Sequence, residues 1–158
     1  MTEAATPPES AVSPDEIWDR VTGINHEVGL ALVRRWLDDD EDAPDGEDGA
    51  EPEIDLRPSI KEVEPKALTL GLRAEARFPS HLVQFEEAAT VYFDDEQEFS
   101  TADIRTFGTR VVLPFLLPYV ESGFRRMCAE ADLYPPPFPY LAVKGVLYSL
   151  KESVHEQR

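Results

Sequence analysis

Twelve consecutive residues set the first constraint: from Ala67 to Phe78, the apolar Leu68, Leu70, Leu72, Ala74, Ala76 and Phe78 alternate with Ala67, Thr69, Gly71, Arg73, Glu75 and Arg77. A period of two is the pleat of a β-strand, and over so long a run it is incompatible with a helix, so the chain must contain a sheet with one buried face. Pro79 and Ser80 then turn the chain, and Val83, Phe85, Ala89, Val91 and Phe93 form a second alternating run, so the two strands make a hairpin. Upstream, Ile54 and Leu56 alternate with Glu53, Asp55 and Arg57 until Pro58 ends the pattern, which suits an edge or bent strand. Sequential strands joined by short or acidic connections give an antiparallel sheet.

The second hairpin strand carries one anomaly. Glu87 falls on the otherwise apolar parity, and a bulge between Glu86 and Glu87 would turn it outward. Near the N-terminus, Ser13-Pro14-Asp15-Glu16 reads as a helix cap, a proline in the first turn and two acids, so a short helix begins near Pro14. Val28 to Leu37 fits two patterns. Alternation places Val28, Leu30 and Leu32 on one face, whereas Leu30, Val33 and Leu37 fit a helical stripe; a strand following a turn at Gly23 to Asn25 is preferred. Past Asp94 the period changes: Ser100 or Thr101 can cap a short helix, and a longer one is expected from about Pro114 to Ala131, with Pro114 and Pro118 near its start. Phe115, Leu116, Tyr119, Val120, Phe124, Met127 and Cys128 give that helix one broad apolar face. The prolines from Tyr134 to Tyr140 require an extended stretch, and a last helix over Leu141 to Val154 would close the chain.

Charge narrows the partners. The chain of 158 residues holds 32 acids against 15 Lys and Arg, a formal charge of −17, which repels phosphate backbones and anionic lipid alike. Nucleic acid is therefore excluded as a partner, and so is membrane insertion: the apolar run from Val111 to Val120 is broken by Pro114 and Pro118 and is far shorter than the roughly 20 residues a spanning helix needs. The acidity lies mainly in the front, where Asp38 to Asp55 holds no base, so residues 38–52 are expected to form an acidic loop, either solvated linker or a dock for a basic partner. Residues 1–12 read as a disordered tail and 13–158 as one domain. A single cysteine and an acidic N-terminus point to the cytoplasm.

Catalytic chemistry finds no foothold. His26, His81 and His155 are scattered, no phosphate-cradling or nucleophile-elbow motif occurs, and Cys128 on an apolar helix face suits packing; neither an enzyme, a metal nor a cofactor is expected. The aromatic and proline-rich tract from Leu113 to Tyr140 reads either as core packing or as an apolar groove for extended peptide.

That tract also carries a resemblance. LLPYVESGFRRMCAEADLYPPPF, Leu116 to Phe138, resembles the helix-and-proline signature of SecB-type chaperones, and the hairpin Leu68 to Phe93 with the strand at Pro52 to Leu56 resembles the strands that precede it there. The chain departs from that pattern at Glu121 and Ser122, where the family usually carries Arg-Glu, and its C-terminus KESVHEQR lacks the basic Cys/His tail by which some members engage the SecA motor. It is more similar to the divergent SecB-like proteins, including those tied to toxin–antitoxin systems. The resemblance implies an α+β fold, a four-stranded antiparallel sheet with helices on one face, assembled as a homotetramer that holds unfolded polypeptide without ATP; SecA or a toxin–antitoxin partner would be further partners. It also implies that Phe115, Leu116, Tyr119, Tyr134, Phe138 and Tyr140 serve groove or helix packing, and that Glu86 lies on an acidic partner-binding face. The competing reading is an acidic adaptor that binds one specific protein.

Overall fold

The computed structural model describes residues 13–37, 39–44 and 51–139; the expected tail at 1–12, Tyr140 and the helix over Leu141 to Val154 lie outside them. Helix α1 (Pro14–Trp18) opens as the sequence predicts, with Ser13 and Glu16 exchanging cap hydrogen bonds. Four antiparallel strands follow: β1 (Val21–Arg35), β2 (Ile54–Glu64), β3 (Ala67–Arg77) and β4 (His81–Phe93), in the spatial order β1-β4-β3-β2. Thus β2, β3 and β4 form a meander, and β1 crosses to the far side to pair with β4, Val21 opposite Phe93 and Arg35 opposite His81.

The alternation reads out as expected in β3, whose Leu68, Leu70, Leu72, Ala74 and Ala76 are buried, and in β4. Three expectations give way. Gly23 to Asn25 make no turn but lie within β1, a strand of 15 residues. The alternation also shifts at Gly29, the extra residue of a bulge: Val28 pairs with Glu87, Leu30 with Glu86, so Val28 faces the helix side while Leu30 and Leu32 turn to the other. The bulge therefore sits in β1, β4 runs through unbroken, and Glu87 stays on the apolar side. Finally, β2 does not stop at Pro58. That residue is accommodated on an edge strand, opposite Leu72, and the strand runs on to Glu64 past an irregularity at Lys61.

One layer of helix covers the sheet. Helix α2 (Thr101–Phe107), capped by Ser100 with Asp103, a π-turn (Gly108–Val112) and helix α3 (Leu113–Glu130) form one continuous run. Pro114 and Pro118 lie four residues apart on its exposed side. Neither has an N–H to give its preceding turn, so the missing bonds fall where water can serve the free carbonyls. Leu113, Leu116, Val120, Phe124 and Cys128 point down onto the sheet and, with Phe85, Leu70 and Phe107, form the core. Gly123 lets α3 lie directly on β4, since a Cβ there would overlap the Phe85 ring. Among the described residues, no helix is long and apolar enough to cross a membrane.

Candidate functional site

The residues singled out from the sequence divide by depth. Leu116 is fully buried and Phe138 is 6% exposed, both within the core cluster, so they pack rather than present a surface. Tyr134, 90% exposed, takes part in no ring contact among the described residues. Phe115 and Tyr119 come together on the first turns of α3, ring centroids 5.5 Å apart, with Tyr119 exposed. Tyr140 lies outside the described residues.

A third ring joins that pair. The imidazole of His26, on β1, stacks against Tyr119 at 4.1 Å and 35° and meets Phe115 edge-on at 5.8 Å and 74°. Its Nδ1 lies 3.2 Å from Oε2 of Glu87, the carboxylate that β4 carries on its apolar side. A carboxylate only accepts, so Nδ1 carries the hydrogen and donates it. Sequence reading flagged Glu87 as misplaced but could not find its partner, which is 61 residues away.

A second feature lies where the approach to β2 meets the proline-rich stretch. Glu51, Pro52, Glu53, Ile54, Pro136, Pro137 and Pro139 line a cleft of about 330 Å³. It shares Glu51, Pro52 and Glu53 with a neighbouring cleft of about 500 Å³ that reaches Asp55, Arg57, Glu75 and Arg77. Rigid pyrrolidine walls and carboxylates make a surface for extended, cationic or apolar chain. Part of the acidic connection is tied down beside it: Asp40 bonds the Leu37 N–H and sits 3.6 Å from Arg34, and Arg77 donates to the Asp42 carbonyl.

The face of the sheet opposite the helices is polar and internally braced. Lys61 of β2 at 2.7 Å and Arg73 of β3 at 3.1 Å each hold one oxygen of Glu86 on β4. Gly29 and Gly71 make room for this cluster: a Cβ on Gly29 would come within 2.8 Å of Glu86 Oε1, and one on Gly71 within 2.8 Å of Lys61 Cε. Glu75 accepts from Gln84 at 2.6 Å and lies beside Arg77 and Arg57, and Asp55 pairs with Arg57, whose guanidinium that hydrogen bond holds further toward the charged form. Glu86 is buried and engaged on both oxygens, a strut between three strands without a free carboxylate to offer.

Cys128 is fully buried, and burial pushes its thiol up to about 11 against a small opposing pull from Arg125, so it holds its proton at neutral pH and packs. Among the described residues no group of His, Cys, Asp and Glu is arranged to hold a metal ion.

No protein-family model matches the chain, and no curated protein matches it in sequence. Among solved structures, the fold is similar to that of the Mycobacterium tuberculosis SecB-like chaperone Rv1957, determined in complex with a ChAD peptide from the HigA1 antitoxin. The two are 14% identical with a TM-score of 0.59, over 79% of this chain and 90% of that one. The four-stranded antiparallel sheet with its covering helix is thus a SecB-like α+β fold.

Proposed function

We propose that this protein is an ATP-independent holdase that binds non-native polypeptide, and that it acts without catalysis, metal or cofactor. The observation that carries this reading is the aromatic cluster of half-buried Phe115 with exposed Tyr119 and His26, set beside the outer edge of β1 on a SecB-like fold. An extended client can lay apolar side chains on such a surface while its backbone stays available to water. The proline-walled cleft offers a second hold for the same chain. The fold neighbour binds an antitoxin peptide, which supports a polypeptide client here and, among the partners considered, favours a toxin–antitoxin partner over SecA. SecA is disfavoured further because Glu86 is already neutralised.

Assembly as a homotetramer in the cytoplasm completes this reading, with β1 as the edge through which copies meet. The test is suppression of aggregation of a heat-unfolded reporter enzyme at stoichiometric protein, with and without ATP. Equal suppression in both arms is expected, and none in either removes the proposal.

The second reading is an adaptor for one basic partner, favoured by the acid-rimmed cleft from Pro44 to Arg77. It is distinguished by affinity purification: one stoichiometric basic protein supports the adaptor, and a heterogeneous set of unfolded chains supports the holdase.

A further inference from the structure

The helix-facing side of β4 is apolar at Val83, Phe85, Ala89, Val91 and Phe93, and all five are buried. Glu87 occupies the third place in that row of six, is itself 6% exposed, and lies opposite Leu72 of β3 on one side and Val28 of β1 on the other. An aliphatic residue would fill that place without the cost of desolvating a carboxylate, which is large unless the group is paired. Among the described residues, the hydrogen-bond partner of Glu87 is His26. His26 is in turn at the surface, with its ring against both Tyr119 and Phe115.

The order of contacts therefore runs outward, from a buried carboxylate to an imidazole to two aromatic rings. Fixing Nδ1–H on Glu87 sets both the tautomer and the plane of the imidazole, in the way a carboxylate orients a ring that must work in one pose. A ring so fixed limits the rotamers open to Tyr119, which is otherwise an exposed side chain on a helix surface.

We propose that Glu87 and His26 are positioning residues for the Phe115–Tyr119 aromatic surface, holding it in the arrangement that receives a polypeptide segment with an aromatic or aliphatic side chain. This rests on the reading of that surface as the client site. Preorganisation is where the gain lies, because an aromatic platform already ordered does not lose side-chain freedom on binding.

The experiment compares Glu87→Leu, Glu87→Gln and Tyr119→Ala in the full chain, measuring melting temperature and affinity for a fluorescently labelled, reduced and carboxymethylated lactalbumin as a permanently unfolded probe. Glu87→Leu is expected to melt at or above the wild-type temperature, because an aliphatic group replaces a buried charge. It should nonetheless bind roughly five- to tenfold more weakly, close to Tyr119→Ala. Glu87→Gln keeps an acceptor for Nδ1–H and should recover most of the affinity. Unchanged binding in Glu87→Leu beside weakened binding in Tyr119→Ala overturns the positioning role and leaves the aromatic surface standing. Unchanged binding in Tyr119→Ala overturns the client-site reading itself, and this inference with it.

Should Glu87→Leu fail to fold, the nitrogen shifts of His26 in the wild-type protein decide the matter. A ring whose Nδ1 stays protonated supports the proposal, and a mixture of Nδ1–H and Nε2–H tautomers overturns it.

Discussion

At the residue scale, aromatic side chains that look alike in the sequence do unlike work. Phe138 and Tyr134 both border the proline-rich stretch, yet one lies in the core and the other projects into solvent. Truncating Phe138 to Ser should lower stability by about 3 kcal/mol, roughly 10 °C in melting temperature, through lost burial and a cavity. Tyr134→Ser should shift stability by less than about 0.5 kcal/mol. Thermal melts of the two single variants check both values. That Phe138 serves groove or helix packing was implied by the SecB-type resemblance, and its place among prolines says that the backbone is extended but not which way a ring turns. Tyr119 had the opposite history. Its helical spacing put it on the apolar face with Leu116, while its actual position at the flank of α3 leaves it over the edge strand, where His26 meets it.

At the element scale, legibility followed locality. Strands β3 and β4 were plain because both are central and their side chains answer to one buried face at each step. The covering helix was plain for the same reason, expected from about Pro114 to Ala131 and found from Leu113 to Glu130, although its continuity with α2 through the π-turn was not. Edge strands were harder. β1 contains Gly23 to Asn25, which read locally as a turn, and pairing along β4 keeps them extended. The bulge at Gly29 could not be placed either, because the anomaly it accompanies, Glu87, is on the other strand. The brace across β2, β3 and β4 was likewise invisible, since it joins Lys61, Arg73 and Glu86 only once the register is set. Its energetic consequence can be measured: Arg73→Met leaves the buried Glu86 with Lys61 alone and should cost about 1.5–3 kcal/mol in urea unfolding. Adding Glu86→Leu to that variant should return part of the loss, because the carboxylate that suffers is then gone.

At the scale of the whole molecule, the two edges of the sheet are built differently. β2 carries Pro58, an irregularity at Lys61, and Glu62 and Glu64, all features that discourage another strand from adding on. β1 has its own bulge at Gly29 but no proline, and it exposes Val28 at 52% near its middle, so its edge is the more open of the two to pairing. If copies associate there, Val28→Lys should shift the mass seen by light scattering toward the monomer while leaving the melting temperature of dilute protein within about 1 °C, as for a surface site. Wild-type mass in that variant would place the association elsewhere.

The crossing of β1 to the far side of the sheet has a consequence in time. β2, β3 and β4 are joined by tight turns at Pro65-Lys66 and Pro79-Ser80, so each finds its neighbour as soon as it is made. β1 leaves the ribosome before any of them, yet among the described residues the strand it pairs with is β4, the last of the four to be synthesised. Closing so long a loop before any pairing rewards it is slow. During its own synthesis this chain therefore carries an unpaired strand with Ile24, Val28, Leu30, Leu32 and Val33 uncovered, and passes through a stage in which it resembles the clients proposed for it.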